Sequence, residues 1–240
     1  MLLILGISNT IIYFIYFIKI YIDNKLSIFS VTFTQIKSKI QIEYPVLISN
    51  LAVTLYTDAP ILIVNKIMGD YSAGIYKIGE MILKIMRSYL SVFFSVSLPR
   101  FSKEYSVNKK AGIKYLKKVN TLNMILVLAG LSILNVVFYF SNFYFSGKVF
   151  EGFFFVKKII WVIPIIAMNI PFYHFLVLND MQKAFTKIKI LGAIIMYLSC
   201  NLLTKKYGLN GSVISLYFVE ITVTSLIILK ATLTFKNNEI

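Results

Sequence analysis

Two neighbouring apolar segments, 45–66 and 75–98, carry ionisable and polar residues at helical spacing. At about 100° per residue, these residues share one face of each helix. In the first segment the polar face holds Asn50, Thr54, Asp58 and Asn65. In the second segment it holds Lys77, Glu80, Lys84, Arg87, Ser91 and Ser95. Such side chains can form ion pairs or bind a charged ligand, and they must face protein or water because lipid cannot solvate them.

The depth of these charges predicts which of them meet. Asp58 lies eight positions before Lys66, and Lys84 lies nine positions after Ile75. At about 1.5 Å per residue, both lie roughly 12–14 Å from the ends at which the two segments are joined. We therefore expect Asp58 to face Lys84, or Arg87 one turn deeper, across two antiparallel helices.

The charged face allows two interpretations. Its ion pairs, among them Glu80 with Lys84 four residues later, would fasten two helices together. Alternatively, the face lines a polar path through the membrane, and its excess of Lys and Arg suits an anionic substrate. The substrate-cavity candidates are Asn50, Thr54, Asp58, Lys77, Glu80, Lys84, Arg87 and, from a later segment, Glu220. Glu220 would either line the path or take part in ion coupling.

The composition indicates that these segments belong to a membrane protein. The chain of 240 residues is 58% hydrophobic and 15% charged, with a mean hydropathy of +0.77. Soluble domains are nearer half apolar and about a quarter charged. The net charge of +15 is typical of basic residues at the cytoplasmic ends of membrane helices, and no segment indicates a nucleic-acid partner. The single Cys200 and the single His174 indicate neither a metal site nor a redox pair.

Hydropathy predicts an all-α polytopic membrane helical bundle of about seven spans, because about 20 apolar residues cross a bilayer. The predicted spans are 2–18, 45–66, 75–98, 119–140, 159–178, 188–203 and 210–230. The segment 100–118 carries seven Lys and Arg residues, so the positive-inside rule places it in the cytoplasm. We expect Pro45 to open the helix that follows it and Pro99 to close the helix before it.

The block 44–105 resembles the start of the C-terminal half of bacterial polysaccharide flippases. These O-antigen transporters (Wzx-type) are part of the MATE-like exporter superfamily. The residues that carry the resemblance are Pro45, Tyr56-Thr57-Asp58, Gly69, Gly74-Ile75-Tyr76 and Pro99-Arg100. They match a helix that opens with Pro, a polar mid-segment, a short outer loop, a second helix and a Pro-terminated end before a basic loop. The later helices fit by number and spacing more than by motif.

The resemblance implies a transporter with two six-helix lobes around a cationic cavity, in the bacterial cytoplasmic (inner) membrane. Residues 1–20 would be the last helix of the first lobe. Residues 21–44 would be a cytoplasmic amphipathic connector, and 45–240 the second lobe with its cytoplasmic tail. The resemblance does not include the other helices of the first lobe. We therefore expect a truncated form, completed by a missing N-terminal lobe or by a second chain.

The implied function is the flipping of a lipid-linked oligosaccharide, an undecaprenyl-pyrophosphate-linked O-antigen or capsular repeat unit, across the membrane. The implied partners are this lipid-linked oligosaccharide and membrane lipids, with no cofactor; the coupling ion, H+ or Na+, stays open. The alternatives are a membrane polysaccharide polymerase, an acyltransferase or a non-transporting membrane scaffold. We expect no enzyme, because the sequence contains no catalytic motif and no large extracytoplasmic loop of the kind expected in a polymerase.

Two substitutions test the cavity interpretation. We expect Lys84→Ala and Arg87→Ala, each in a full-length context, to abolish surface polysaccharide, because each removes a cation from the proposed path. Surface polysaccharide and membrane protein level are measured side by side, and the protein level should stay unchanged. Normal polysaccharide in both mutants would contradict the cavity interpretation.

Overall fold

The computed structural model describes residues 16, 18 and 19, 32–144 and 148–237, and within these ranges the chain is helical with no strand. The chain forms two compact units, Met1–Tyr44 and Pro45–Ile240. The expected all-α fold is confirmed. The helices are α1 (Phe33–Val107), α2 (Lys109–Tyr144), α3 (Lys148–Ile159), a 3-10 turn (Ile160–Val162), α4 (Ile163–Leu178), α5 (Gln182–Tyr207) and α6 (Leu209–Asn237).

Five helical segments of the described ranges are long and apolar enough to cross a membrane. They are Leu47–Val107, Lys109–Phe140, Glu151–Leu178, Gln182–Tyr207 and Leu209–Phe235. The first contains two predicted spans, 45–66 and 75–98, so six predicted spans fall in these five segments. The predicted span 2–18 lies outside the described residues, apart from Tyr16 and Ile18. The chain is a multi-pass membrane protein, and its helix count in the described part is lower than the predicted seven.

The start of α1 is set by local hydrogen bonding rather than by proline. Gln35 Oε1 accepts from the backbone N–H of Thr32 at 3.0 Å, which is half of a capping box and satisfies a donor at the helix start. The helix then begins at Phe33, so the expectation that Pro45 opens it is wrong. A Pro within a helix removes one backbone hydrogen bond and its ring crowds the preceding turn, but membrane helices tolerate it where neighbouring groups satisfy the freed backbone.

The basic segment 100–118 is helical on both sides of one residue, Asn108. The expectation that Pro99 closes a helix is wrong, since α1 continues to Val107. Asn108 Oδ1 then caps α2, accepting from the backbone N–H groups of Lys110 at 2.9 Å and Ala111 at 3.3 Å. The change to polar residues after Pro99 marks where the apolar stretch ends, but backbone hydrogen bonds continue past it. We call the end of the bundle that contains the basic segment 100–118 the basic end.

Gly69 divides α1 and reverses the direction of the chain. Its backbone is non-helical, with φ 82° and ψ 178°, a conformation that only glycine adopts readily. Asp58 Oδ1 and Lys84 Nζ lie 3.2 Å apart although 26 residues separate them. A continuous helix would hold them about 39 Å apart at 1.5 Å per residue, so the segments on either side of Gly69 are antiparallel. We call them limb 1 (45–68) and limb 2 (70–107).

The core of the second unit lies around α4 and α6. α4 packs against α2, α5 and α6, while α5 and α6 form an antiparallel pair joined at Gly208. Ala167 of α4 and both Val219 and Ile227 of α6 are fully buried. At Gly192 of α5 an added Cβ would lie 2.7 Å from Cγ2 of Val223, so the absent side chain lets α5 and α6 approach closely. This packing holds α4 and α5 beside the two limbs.

The reversal at Gly69 gives a stability prediction with a matched control. We expect Gly69→Ala to destabilise the protein by about 1–3 kcal/mol, because an L side chain is strained at this backbone conformation. Nothing lies within 4 Å of an added Cβ at Gly69 or at Gly74, so steric contact contributes to neither substitution. Gly74→Ala should leave stability unchanged or raise it by up to about 1 kcal/mol, since Gly74 is helical.

Thermal unfolding of the detergent-purified variants measures this difference. Equal unfolding temperatures for Gly69→Ala and Gly74→Ala would show that the chain does not need glycine at the reversal.

Candidate functional site

The predicted ion pair between the two limbs is present. Lys84 Nζ donates to Asp58 Oδ1 at 3.2 Å, which confirms the pairing expected from the depth of the two residues. The pair with Glu80 is confirmed as well, since Lys84 Nζ lies 2.9 Å from Glu80 Oε1. Lys77 Nζ donates to the other oxygen of Glu80 at 2.7 Å. These four residues form one limb cluster, with two cations and two carboxylates.

The limb cluster is neutral in sum and only partly covered by the chain. Glu80 is buried, but the side chains of Lys77, Lys84 and Asp58 are 46%, 49% and 44% exposed. A charged side chain halfway along a membrane helix cannot face hydrocarbon without a large cost. The uncovered side of the limb cluster must therefore face water or another protein surface.

A second ion pair lies deeper in the fold and joins limb 2 to α6. Arg87 Nη2 donates to Glu220 Oε1 at 3.0 Å, and the side chain of Glu220 is only 1% exposed. The hydroxyl of Tyr56, from limb 1, donates to the same oxygen at 3.1 Å. Within the described part of the chain, Glu220 Oε2 is buried and has no hydrogen-bond partner. Arg87 is thus the direct ion-pair partner of a fully buried carboxylate.

A polar cavity of about 370 Å³ adjoins this ion pair. Limb 1, limb 2, α4 and α5 each contribute side chains to it. The polar lining residues are Ser49, Asn50, Tyr56, Arg87, Ser91, Asn169, Tyr173, His174, Gln182, Thr186 and Lys189. Asn169 is held in place by α6, since its Nδ2 donates to Thr224 Oγ1 at 3.3 Å. No Asp or Glu lines this cavity, so its fixed charges are positive.

Lys189 is a charged residue of this cavity that is not among the candidates predicted from the sequence. It is buried, with 7% of its surface exposed, and its Nζ lies 5.3 Å from the ring centroids of both Tyr56 and Phe185. Such positions allow cation–π attraction but supply no counter-charge. No carboxylate of the described residues forms a salt bridge with Lys189. Its positive charge therefore remains available to an anion in the cavity.

The spacing of Gln182, Thr186 and Lys189 could have indicated this face. They recur at intervals of four and three residues, which places them on one side of α5. In the sequence, however, Lys189 follows Lys183 and Lys187 and resembles one more flanking lysine. Only the packing of α5 shows that Lys189 is buried while Lys187 is exposed.

The structure separates the sequence-predicted candidates into four groups. Asn50 and Arg87 line the cavity. Asp58, Lys77, Glu80 and Lys84 form the limb cluster, and Glu220 lies behind Arg87 in the protein interior. Thr54 is exposed and its hydroxyl donates to the backbone carbonyl of Asn50 at 3.0 Å, a contact within its own helix. The two charged helix faces therefore do not form one continuous wall.

Metal-ligating residues do not cluster in the described ranges, where no group of three or more His, Cys, Asp or Glu could hold an ion. Cys200 is buried, and its sulfur lies 3.6 Å from the hydroxyl of Thr204. What the cavity offers is two cations, one histidine, and hydroxyl and amide groups. These groups can bind an anion and hydrogen-bond to a polyhydroxylated ligand.

Comparison with known proteins gives one family. The sequence profile described as "polysaccharide biosynthesis protein" matches residues 2–141, which is more than half of the chain. No match was found among curated proteins or among solved structures. The matched range includes both limbs and therefore Arg87 and the whole limb cluster.

The two ion pairs should differ in their contribution to stability. We expect Arg87→Met to destabilise the protein by about 3–5 kcal/mol, because it leaves the buried carboxylate of Glu220 without its partner. Lys84→Met should cost only about 0–1 kcal/mol, because that pair is half exposed and Lys77 still compensates Glu80. Thermal unfolding in detergent measures both losses. Because Arg87 pairs with a buried carboxylate, the unchanged protein level expected from the sequence for Arg87→Ala is no longer predicted.

A double substitution provides the control. Combining Arg87→Met with Glu220→Gln should recover most of the lost stability, since an amide needs no counter-charge. If Arg87→Met and Lys84→Met unfold at the same temperature, the buried pair has no special role in the fold.

Proposed function

The chain belongs to the polysaccharide biosynthesis protein family, and from this premise we propose that it is a flippase for a lipid-linked oligosaccharide. Because the chain matches this family and has helices long enough to span a membrane, it is a membrane protein of polysaccharide biosynthesis. The proposed substrate is an undecaprenyl-pyrophosphate-linked repeat unit. The proposed location is the bacterial cytoplasmic membrane, with the basic end in the cytoplasm as the positive-inside rule requires.

The single observation that carries this proposal is the cationic cavity. Its lining includes Arg87 and Lys189 but no carboxylate. Arg87 is paired with Glu220, whereas Lys189 lies against two aromatic rings and forms no salt bridge among the described residues. A buried cation without a counter-charge is costly, and an anionic ligand removes that cost. A pyrophosphate linkage would supply the negative charge, and the hydroxyl and amide side chains would hydrogen-bond to the adjoining sugar.

The position of the cavity suits a substrate that is taken up from one side of the membrane. Gln182 begins α5 at the basic end, and Lys189 lies seven residues further, about 10 Å along the helix. Tyr173 and His174 lie five and four residues from the end of α4 at Leu178, about 6–8 Å along the helix. The cavity is therefore near the basic end, where a substrate assembled in the cytoplasm would first contact the protein.

The limb cluster supports the proposal that a second helical body covers this chain. Its three half-exposed charges cannot face lipid, and they belong to one side of the two limbs. Either a further lobe or a second chain would cover them and enclose a water-filled path between the two bodies. With two cations and two carboxylates, the limb cluster itself has no excess charge for an anion. Its role in the proposal is to fasten limb 1 to limb 2, so the loss of surface polysaccharide expected from the sequence for Lys84→Ala is no longer predicted.

Two lysines of the same helix test the function. We expect Lys189→Gln, introduced into the chromosomal gene, to abolish or strongly reduce surface polysaccharide. The reason is that it removes the unpaired cation of the cavity while keeping most of the side chain's length. Lys187→Gln is the matched control, since Lys187 lies two residues away and is exposed. Both variants remove one positive charge, so a general effect of net charge would affect both equally.

Surface polysaccharide is quantified by immunoblot of whole cells, with membrane protein level as the reference. Normal polysaccharide in Lys189→Gln, or equal loss in both variants, would contradict the proposed role of the cavity.

A further inference from the structure

One face of α4 presents the single histidine of the chain to the polar cavity. The α4 residues that line the cavity recur at intervals of three and one positions, so they share one side of the helix: Ile166, Asn169, Ile170, Tyr173, His174 and Val177. His174 is half-buried and lies four residues, about 6 Å, before the end of α4. Lys189 lies about 10 Å from the start of α5, so His174 is nearer to the basic end than Lys189 is.

Two aromatic rings position the imidazole of His174. Its ring centroid lies 6.0 Å from that of Phe94, a buried residue of limb 2, and 5.1 Å from that of Tyr173. Within the described part of the chain, neither ring nitrogen of His174 forms a hydrogen bond with the protein. Aromatic rings attract a cation at centroid distances up to about 6 Å, so this packing suits a protonated imidazole. It also leaves the ring nitrogens available to a ligand.

The charges around the cavity make the protonation of this histidine depend on a ligand. The charged and titratable groups of the cavity wall are Tyr56 from limb 1, Arg87 from limb 2, Tyr173 from α4 and Lys189 from α5. Glu220 of α6 lies behind Arg87 and is paired with it. In an empty cavity the two cations oppose a third positive charge, whereas a bound anion attracts it. Histidine is the side chain whose ordinary pKa lies closest to neutral pH, so such a change is enough to add or remove its proton.

We propose that His174 binds the pyrophosphate group of the substrate and takes up one proton when it does so. The proton comes from the solvent and adds to the ring nitrogen that carries none in the neutral imidazole. The imidazolium then donates hydrogen bonds from its ring N–H groups, and its charge is compensated by the anion. Because only the protonated form carries this charge, the affinity of the cavity for the anion rises as the pH falls.

The two phosphates of the ligand have different partners in this arrangement. His174 donates to the phosphate nearer the basic end, and Lys189 donates to the one that lies deeper in the cavity. Arg87 stays paired with Glu220 and adds its positive charge from the cavity wall. The inference rests on the proposed function, because it assigns one more ligand contact to the same cavity.

Isothermal titration calorimetry of the detergent-purified protein tests the proposal, with a water-soluble pyrophosphate diester as the probe. A diester keeps both negative charges around neutral pH, so the ligand contributes no titration of its own. We expect the affinity of the wild type to fall by up to about tenfold per pH unit above the ordinary histidine pKa, which is the limit for one linked proton. Binding enthalpies in two buffers of different ionisation enthalpy should show the uptake of about one proton.

Three variants make this test specific to the imidazole. His174→Gln keeps a hydrogen-bond donor but cannot titrate, so both the pH dependence and the proton uptake should disappear. His174→Arg supplies a permanent charge, so its affinity should stay high where that of the wild type has fallen. Tyr173→Phe removes one hydroxyl from the adjacent lining residue and should keep the pH dependence of the wild type. The unfolding temperature of each variant is measured alongside, so that loss of binding is distinguished from loss of the fold.

The possible failures of this proposal and of the proposed function are distinguishable. An unchanged pH dependence in folded His174→Gln would overturn the role of His174 and assign the titration to another group, such as Lys189, while the anion site itself would stand. Absence of diester binding by the wild type at every pH, or equal binding by Lys189→Gln, would overturn both proposals.

Discussion

The ion pair of Arg87 with Glu220 is the constraint around which the second unit is arranged. Glu220 is fully buried, and an unpaired carboxylate in a protein interior costs several kcal/mol. Arg87 offsets this cost from limb 2, and Tyr56 reaches the same oxygen from limb 1. Limb 1 and limb 2 must therefore both approach the carboxylate of Glu220 on α6. Because Arg87 also lines the polar cavity, the residue that stabilises this convergence also contributes to the charge of the cavity.

The structure keeps two kinds of charge apart. In the limb cluster each cation has a carboxylate within 3.2 Å, so the cluster can join helices without attracting a ligand. In the cavity, Lys189 lies against two aromatic rings and forms no salt bridge with the carboxylates of the described residues. A buried lysine without a salt bridge thus lies in the cavity, near the basic end.

Sequence reasoning worked where a contact depends on distances along the helices. Asp58 and Lys84 lie at equal depth on two helices joined by a tight reversal, so counting residues was enough to predict their pairing. Counting along a helix gives no information on Lys189, because its burial depends on how α5 packs beside Tyr56 and not on its distance from a helix end. The helix ends at Pro45 and Pro99 were also wrong, since hydrogen bonding near Phe33 and Asn108 determines the ends of these helices.

The sequence alone determined the membrane class, the helical architecture and the charged faces of the two limbs. Composition, hydropathy and helical period are local properties, and they do not depend on how the helices pack. Only the tertiary structure decided that Arg87 pairs with Glu220, 133 residues away. It also decided that Lys189 lines the cavity without a salt bridge among the described residues, whereas Lys84 lies in the limb cluster. The reason is that a charge in a protein interior is defined by its neighbours from other helices, and helical spacing does not specify those neighbours.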